Sequence, residues 1–510
     1  MKIAVEGCAH GEIDKIYETI AALEKKNDIK VDVLICCGDF QSTRNSDDLN
    51  SMAVPPKYRA MGSFHMYYAG EKVAPILTIF IGGNHEASKY LQEVPYGGWV
   101  APNIYYLGYS GIINIGGIRI AGLSGIYNAR DFHKGRFEAP PYSEQTKRSV
   151  YHVRNLDVFR MKQVKSQIDI FLSHDWPLGI YNYGDINQLL KEKHYFENDI
   201  AEEKLGSPAN QELLDKLKPK YWFASHLHVK FAAIVPHKDE SGNVISNTKF
   251  LALDKCLPRR QFLQVLDIEH DKSKQITVEH DLEWLAILHY TNHLISVDPS
   301  NNFLPGPGDD ERWIFTPTES EKEFVMRKMG GELKVPCNFV PTVQSNSNQS
   351  PTTPSKKYQG LQSNIQTEEF CKKLGIDDPL MLLLDKKDNM FSSPCPVTPD
   401  DAEMSSFIDS EISGFCSGSE ENEKSIYEEK LKEINSTSVS FKSMKLPPPK
   451  YEESQVELEP SEMSLKDNSL FFIDDGSKRC HDSTTKTDNC NSQSVKKFKR
   501  RNHNLYSSND

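Results

Sequence analysis

The sequence contains no Cys-x-x-Cys pair, no dense cysteine framework and no apolar run near the roughly 18 residues of a membrane span. Its ten cysteines are scattered from position 8 to position 490, which is typical of free thiols in a reducing compartment. The N-terminus reaches an acidic side chain, Glu6, too early for a signal peptide. We therefore expect a soluble intracellular protein without a disulfide scaffold.

The chain is also poor in apolar residues and has no excess of positive charge. Hydrophobic residues make up 38% of its 510 residues, which is low for a chain packed throughout, so part of it is expected to be unfolded. The formal net charge of −12 would repel a nucleic acid if it were spread evenly. A nucleic-acid surface would therefore have to be a local basic patch, assisted by metal ions, or both.

Short apolar runs alternate with helical stretches over residues 1–235, which is the pattern of an α/β core. The predicted strands are 2–5, 31–37, 76–81, 112–123 as a hairpin around Gly116-Gly117, 168–172, 221–224 and 231–235. We expect them to form a sandwich of two sheets flanked by helices. Residues 236–341 keep aromatic and apolar side chains and are predicted to form a mixed, mainly helical C-terminal domain. Residues 342–510, rich in Ser and Pro and acidic at 400–429, are predicted to be a disordered tail.

Residues of metal-ligand type follow five of the predicted strands. They are Cys8, His10, Asp39, Asn84, His174, His226 and His228, with His85 next to Asn84. Because ligands gather beyond the carboxyl ends of strands in α/β sheets, these residues are expected to converge. The members of the pairs Cys8/His10 and His226/His228 are two residues apart, so on an extended segment both would point the same way. Asp39 can bridge two cations through its two oxygens, so the pattern predicts a two-metal site.

A second interpretation stays open for Cys8, since small buried thiols are common in protein cores. Cys36 and Cys37 lie inside a predicted strand and are assigned to packing.

The motifs resemble those of the calcineurin-like metallophosphoesterases, which are Asp-x-His, Gly-Asp, Gly-Asn-His-Asp/Glu, a later His and Gly-His-x-His. The resemblance covers about the first 235 residues and implies one or two divalent ions, Fe²⁺, Zn²⁺ or Mn²⁺. It implies that Cys8, at the family's Asp position, binds one ion together with His10, Asp39 and His228. The second ion would be held by Asp39, Asn84, His174 and His226. His85 would be the catalytic general acid, acting with a metal-activated hydroxide that attacks phosphorus.

Within this superfamily, the segment after Gly38-Asp39 lacks the Asp-Arg-Gly of serine/threonine phosphatases. Cys8, the stretch 97–108 and the stretch 173–177 resemble the RNA lariat debranching enzymes instead. The resemblance implies hydrolysis of the 2′-5′ phosphodiester at the branch point of an excised intron, which converts lariat RNA to linear RNA. Branched lariat RNA is therefore the expected partner. Two alternatives remain open: a DNA nuclease of the same superfamily, and a non-catalytic scaffold, although no ligand position has been lost as a scaffold would predict.

A basic, aromatic segment agrees with an RNA substrate. Residues 127–165 carry nine Lys or Arg against four acids, with interleaved rings on which unpaired bases can stack. Debranching enzymes have a lariat recognition loop in this region, which we place at about 124–154. The residues expected to bind RNA are Tyr127, Asn128, Arg130, His133, Lys134, Arg136, Tyr142, Arg148 and Arg154. The charges beyond Arg154 are also compatible with a solvated helix face.

The tail carries basic clusters at 478–479 and 496–501, which are typical of a two-part nuclear import signal. We expect a mainly nuclear protein that exchanges with the cytoplasm and contacts splicing-associated proteins through its tail. Candidate phosphorylation sites, each preceding a proline, are Ser350, Thr353, Ser393 and Thr398. The sequence does not indicate an oligomeric state.

Overall fold

Two β-sheets form the centre of the structure, a computed structural model that describes residues 1–345 and 361–392. The strands in chain order are β1 (Lys2–Glu6), β2 (Val33–Cys36), β3 (Leu77–Phe80), β4 (Gly98–Ala101), β5 (Ile104–Tyr106), β6 (Ser110–Ile115), β7 (Ile118–Leu123), β8 (Ile170–Ser173), β9 (Tyr221–Ala224), β10 (Phe231–Lys238), β11 (Val244–Ala252), β12 (Leu263–Asp267) and β13 (Val278–His280). The first sheet has the order β12-β1-β2-β3-β5-β4, and the second has the order β10-β11-β9-β8-β7-β6-β13. In the first sheet, β1, β2, β3 and β5 run parallel, as do β7, β8, β9 and β11 in the second.

Helices and short 3₁₀ turns connect and flank the strands. The helices are α1 (Ile13–Asn27), α2 (Ser46–Ser51), α3 (Phe64–Tyr68), α4 (Ser88–Leu91), α5 (Thr146–Ser149), α6 (Asn155–Lys162), α7 (Ile186–Glu192), α8 (Phe196–Ala201), α9 (Pro208–Leu217), α10 (Leu282–Tyr290), α11 (Glu319–Lys328), α12 (Ile365–Leu374) and α13 (Pro379–Ser392). The 3₁₀ turns are Pro56–Tyr58, Ile180–Tyr183 and Asn292–Leu294. Within the described ranges, no helix combines the length and the apolarity needed to cross a membrane.

The core lies between the sheets and under the helices on their outer faces. Ile3 and Val5 of β1 pack in the layer between the sheets, while Ala4 packs in the outer layer with Ile16 and Ile20 of α1. This alternation follows from the two-residue period of a strand. Because both faces of the parallel strands are covered, the strands are continuous apolar runs rather than alternating ones.

The predicted two-sheet α/β sandwich is confirmed, but the sheets extend further along the chain than the sequence indicated. β10 crosses the boundary expected at residue 235, β11 pairs in parallel with β9, and β12 pairs antiparallel with β1. Helices dominate only from α10 onward. The sequence did not predict β11, because this strand is exposed over most of its length and lacks a clear apolar alternation.

The prediction that disorder begins at residue 342 is wrong for residues 361–386, which are folded. Cys371 and Leu374 of α12 lie in the core, and the Gln366 amide donates to the backbone carbonyl of Trp99 at 2.9 Å and accepts from its N–H at 2.8 Å. The Ser/Asn/Pro-rich stretch before α12 concealed this short amphipathic helix. The import signal and the four candidate phosphorylation sites lie outside the described residues.

Candidate metal centre

The loops that follow five parallel strands meet at the carboxyl-end edges of the two sheets. β1, β2 and β3 are neighbours in the first sheet and lead to Cys8, Asp39 and Asn84, respectively. β8 and β9 are neighbours in the second sheet and lead to His174 and His226. The site therefore lies where the ends of both sheets face each other, as expected for ligands of parallel strands.

The backbone at this edge is turned rather than extended. His10, Asp39, His226 and His228 have φ angles of 46°, 49°, 62° and 50°, in the left-handed region that side chains with a Cβ rarely adopt. The pairs Cys8/His10 and His226/His228 therefore do not lie on extended segments as the sequence predicted, although their side chains do converge. Left-handed residues of this kind cost on the order of 1–3 kcal/mol each and are typical of functional sites.

One group of side chains offers four different ligand atoms at close range. The candidate ligand atoms of Cys8, His10, Asp39 and His228 all lie within 4.8 Å of one another. His10 Nε2 is 3.1 Å from His228 Nε2 and 3.6 Å from Asp39 Oδ2. Cys8 is fully buried, and its Sγ accepts a hydrogen bond from the His226 N–H at 3.2 Å. This is the set that the family resemblance implied for the first ion.

A second group surrounds the other carboxylate oxygen of Asp39. Oδ1 of Asp39 is 3.3 Å from His174 Nε2, which is also 3.1 Å from Asn84 Oδ1. The His226 and His174 rings have centroids 5.0 Å apart. Because Oδ2 faces His10 and Oδ1 faces His174, Asp39 is placed to bridge two cations.

The electrostatics of the site favour neutral imidazoles around a charged carboxylate. Burial lowers the pKa of His10 to about 4, that of His226 to about 3 and that of His228 to about 2, so their ring nitrogens keep a free lone pair at neutral pH. Burial opposes ionisation of Asp39, but the neighbouring histidines and the N–H of His85 outweigh it and hold its pKa below the usual range.

These donors fit divalent metal ions. Imidazole nitrogen and thiolate sulfur suit transition metals. The Asp39 and Asn84 oxygens add hard donors, so that the candidate ligands comprise nitrogen, sulfur and oxygen atoms. In the described part of the chain, Asp39 has no Lys or Arg within 4.0 Å that would neutralise it. Burial raises the pKa of the Cys8 thiol, and a nearby cation is what would deprotonate it.

A second layer of groups orients the ligands. His174 Nδ1 lies 2.8 Å from the carbonyl of Cys37 and 3.0 Å from Ser225 Oγ, which leaves Nε2 directed into the site. A Cβ on Gly38 would lie 2.3 Å from His174 Nδ1, and one on Gly83 would lie 2.2 Å from Asp39 Oδ1. The glycines beside Asp39 and Asn84 are therefore required by close packing against the ligands.

His85 lies at the mouth of the site rather than among the candidate ligands. Its backbone N–H donates to Asp39 Oδ1 at 2.8 Å, but its Nδ1 is 3.9 Å from Asp39 Oδ2. Its side chain keeps 31% of its surface exposed, compared with 22% for His10. The ring can therefore reach a substrate while remaining attached to the metal-binding loops.

Glu86 holds together two of the loops that carry candidate ligands, a role that the sequence did not predict. Its buried carboxylate accepts from the backbone N–H groups of Phe40, Gln41 and Gly83 at 2.8, 2.9 and 3.0 Å. It thereby connects the loop of Asp39 to the loop of Asn84. The available sequence signal was its position directly after Asn84-His85.

Replacing Glu86 with Gln is expected to weaken metal binding about 10- to 100-fold, the usual loss for an outer-layer partner of a metal site. The amide would present an NH₂ group to N–H donors that the carboxylate now satisfies. Metal titration of the two proteins measures the effect, with Glu71→Gln at an exposed position as the control. Unchanged metal affinity in a folded Glu86→Gln protein would disprove the bracing role.

The residues predicted to bind RNA lie in three different environments. Arg130, His133 and Arg148 are exposed, whereas Tyr127, Asn128, Lys134 and Tyr142 are half-buried. Lys134 pairs with Asp131 at 2.9 Å, and the Tyr142 hydroxyl donates to the Gln92 side chain. Arg136 and Arg154 point into the protein and pair with buried carboxylates.

The prediction that Arg154 and Arg136 bind RNA is corrected by their contacts. Arg154 is 2% exposed and pairs with Glu138 at 2.5 Å, with further bonds to backbone carbonyls of the loop. Arg136 pairs with Asp157 at 2.6 Å and lies 3.5 Å above the ring of Tyr109. Both guanidinium groups hold the loop in shape, and a count of charges cannot separate such residues from exposed ones.

The loop at 124–154, which the sequence predicts to recognise the lariat, is attached directly to the strands that lead to the candidate ligands. The Asp175 carboxylate, next to His174, accepts hydrogen bonds from the N–H groups of Tyr127 and Trp176. Gly125 N–H donates to the Gly82 carbonyl at 2.8 Å, close to Asn84. The loop therefore starts at the edge of the candidate centre.

The fold and the site define a metallophosphoesterase: residues 1–230 match the family model of the calcineurin-like phosphoesterases, a class that uses divalent metal ions. Residues 245–379 match the model of the lariat debranching enzyme C-terminal domain. The chain is 55% identical over 382 residues to lariat debranching enzyme A of Xenopus laevis, covering 74% of this chain and 71% of that protein. It is 54% identical over 385 residues to the lariat debranching enzyme of Homo sapiens, covering 74% and 70% of the two chains. The chain belongs to the lariat debranching enzyme family, and it is a metal-dependent phosphodiesterase.

Proposed function

We propose that this chain hydrolyses the 2′-5′ phosphodiester at the branch point of lariat RNA and so converts the lariat to linear RNA. The observation that carries the proposal is the meeting of all seven candidate ligands and His85 where the carboxyl ends of the two sheets face each other, in a chain that shares 55% identity with a lariat debranching enzyme. A non-catalytic scaffold would be expected to have lost ligands, and the loop joined to the site through Asp175 carries exposed basic and aromatic side chains that suit a single-stranded nucleic acid.

The candidate ligands and His85 have different roles in this reaction. Divalent ions bound by these ligands would lower the pKa of water towards 7 and neutralise the phosphate oxygens. Asp39 and the neutral histidines would hold these ions in place. His85, exposed at the mouth, donates a proton to the departing 2′-oxygen as the P–O2′ bond breaks.

The thiol of Cys8 is proposed to select the metal. Thiolate is a soft ligand that favours zinc or ferrous iron over magnesium and calcium, and manganese fits the oxygen and nitrogen donors of the remaining set. The first site would therefore prefer Zn²⁺ or Fe²⁺ and accept Mn²⁺. Metal analysis of protein purified without added metal or chelator tests this preference.

The proposed activity is tested with a short branched RNA, a linear RNA of the same sequence and a single-stranded DNA of the same sequence. We expect metal-dependent cleavage of the branched RNA alone. Degradation of the DNA with an intact branch would favour the nuclease alternative, and an uncleaved branch in metal-loaded protein would favour the scaffold.

Arg130 and Arg148 are proposed to contact RNA phosphates, because both are exposed and, among the described residues, neither forms an ion pair within 4.0 Å. Replacing both with Gln should lower the slope of log affinity against log salt by about 1.4 to 1.8 if two phosphate contacts are lost. Hydrolysis of a small chromogenic phosphodiester should be unchanged. The control is Lys25→Gln/Lys26→Gln on α1, and an unaltered slope in the Arg variant would contradict the proposal.

Nuclear location is proposed from the basic clusters 478–479 and 496–501. Neutralising both clusters in a fluorescently tagged chain should shift it to the cytoplasm, whereas an unchanged distribution would reject the proposal. Contact of the tail with splicing-associated proteins and phosphorylation at the four Ser/Thr-Pro sites are proposed on the same chemical grounds. Mass spectrometry of protein from dividing cells tests the phosphorylation.

A further inference from the structure

An exposed aromatic residue from the C-terminal part of the chain lies against the recognition loop. Phe303 is 79% exposed, more than any other large hydrophobic residue in the described ranges. Its ring centroid lies 6.0 Å from that of His133, with 33° between the planes, and His133 is exposed as well. Two exposed rings held at a small angle form a surface of the kind on which a base can stack.

Backbone pairing fixes this surface in place. The Asn302 N–H donates to the His133 carbonyl at 2.6 Å, and the Gly135 and Arg136 N–H groups donate to the carbonyls of Asp298 and Ser296 at 2.9 Å. A Cβ on Gly135 would lie 2.5 Å from the Ser296 carbonyl oxygen, so the two segments approach as closely as glycine allows. The loop from the C-terminal domain is therefore joined to the recognition loop like a paired strand.

A row of neighbouring rings in the same loop ends at this surface. The Tyr127 N–H is bound by Asp175, which follows the candidate ligand His174. The Tyr127 ring lies 5.3 Å from Phe132, which lies 5.1 Å from His133. The exposed guanidinium of Arg130 comes from the same loop and offers a positive charge for the RNA backbone.

We propose that Phe303 and His133 form a platform on which an unpaired base of the RNA stacks, away from the nucleotides of the scissile bond. The proposal rests on the proposed RNA substrate and extends its binding site into the C-terminal domain. Such a platform tolerates any base, because every base presents a flat aromatic face.

The test measures the affinity of branched RNAs with long legs and of a branched trinucleotide, in a His85→Ala background that slows turnover. Phe303→Ala and Phe303→Leu should each weaken binding of the long-legged RNA by about 5- to 140-fold, the effect of losing one stacked base. Phe303→Tyr should keep the affinity of the protein with Phe303, because tyrosine retains the ring. In all these variants the salt dependence of binding and the affinity for the branched trinucleotide should equal those of the protein with Phe303. The matched control is Phe324→Ala, at a ring on α11 that is 39% exposed.

Undiminished affinity in Phe303→Ala, full affinity in Phe303→Leu or an equal loss with the trinucleotide would each overturn the platform. Failure of the wild-type chain to cleave any branched RNA would reject the proposed function. The affinity comparison would still decide the platform, because it does not depend on cleavage.

An independent observation concerns Lys255, which is paired with the candidate ligand Cys8. The two residues form a parallel β-bridge, in which the Cys8 N–H donates to the Asp254 carbonyl at 3.3 Å and the Cys256 N–H donates to the Cys8 carbonyl at 3.0 Å. Paired residues on adjacent strands direct their side chains to the same face. The Lys255 ammonium therefore lies on the side of the metal centre, half-buried and, among the described residues, without a carboxylate within 4.0 Å.

The backbone of Lys255 is fixed beside the candidate ligand Cys8 by the two hydrogen bonds of this bridge. The ammonium stands on a flexible four-carbon stem. It can therefore reach a group bound at the first metal site.

We infer that Lys255 binds a non-bridging oxygen of the substrate phosphate beside the first metal site. This role rests on the phosphodiesterase activity and not on the identity of the nucleic acid. A hydrogen bond from an ammonium group stabilises the negative charge that develops on the phosphate oxygens in the transition state.

Replacing Lys255 with Met should lower kcat/KM about 10- to 140-fold for branched RNA and for a small chromogenic phosphodiester alike. Inhibition by inorganic phosphate should weaken while metal content stays constant, and Lys255→Arg should retain most activity. The control is Lys249→Met, on the exposed side of β11. Loss of metal in step with activity, or a loss confined to RNA, would overturn this role.

Discussion

His85→Ala is expected to reduce turnover of branched RNA about 10²- to 10⁴-fold, the usual contribution of a general acid or base. The reduction should leave metal content intact, since His85 Nδ1 is 3.9 Å from Asp39 Oδ2 and the His85 side chain is more exposed than that of the candidate ligand His10. The Asp39 carboxylate will keep its hydrogen bond from residue 85, because that donor is the backbone N–H. Turnover and metal analysis of the same preparation measure both quantities.

The role of proton donor gives a sharper expectation than loss of activity. A phosphodiester with a nitrophenol leaving group needs little protonation, so His85→Ala should impair its hydrolysis far less than that of branched RNA. His194→Ala, at an exposed position, is the control. An equal loss on both substrates, or loss of metal in step with activity, would show that His85 supports the metal centre and is not the acid.

Cys8→Ala is expected to remove the first metal ion and most activity. Removing a direct ligand should cost more than the 10- to 100-fold in metal affinity that is typical of outer-layer partners. Cys8→Asp should recover activity with manganese, because a carboxylate oxygen can occupy the same coordination position, and Cys8→Ser should lie between Ala and Asp. Metal stoichiometry with zinc, iron and manganese supplied separately tests this order.

The competing account treats Cys8 as a small buried packing residue, and it predicts the reverse order. Alanine and serine would then be mild, and a buried aspartate would be the most harmful through its desolvation cost. Cys37→Ala provides a matched control, because Cys37 is equally buried but packs in the apolar layer between the sheets. Cys8→Ala with unaltered metal stoichiometry would contradict ligation by the thiol.

Part of the convergence of the candidate ligands could be predicted, because parallel strands of one sheet place their carboxyl ends at one edge. This applies to Cys8, Asp39 and Asn84, which follow neighbouring strands of the first sheet. The packing of the second sheet against the first, which places His174 3.3 Å from Asp39, could not be predicted in the same way. The backbone geometry that brings them together could not be predicted. It depends on left-handed turns at His10 and His228, and nothing in the local sequence distinguishes them from extended residues.

The remaining failures concern pairs of residues whose contact the sequence does not show. Charge counting predicts Arg136 and Arg154 as RNA-binding residues, whereas the structure pairs them with Asp157 and Glu138. Lys255 was overlooked because its pairing with Cys8 joins residues separated by almost half of the chain. Charge and aromatic content indicate a surface only on average, and tertiary contacts decide which side chains remain available.

Hydrolysis of a defined branched RNA in ¹⁸O-labelled water tests the central claim most directly. The account predicts one ¹⁸O atom on the 5′-phosphate of the released strand, an unlabelled 2′-hydroxyl at the branch nucleotide and intact 3′-5′ linkages. A cyclic phosphate product, label on the 2′-oxygen or cleavage of 3′-5′ linkages in place of the branch would contradict it.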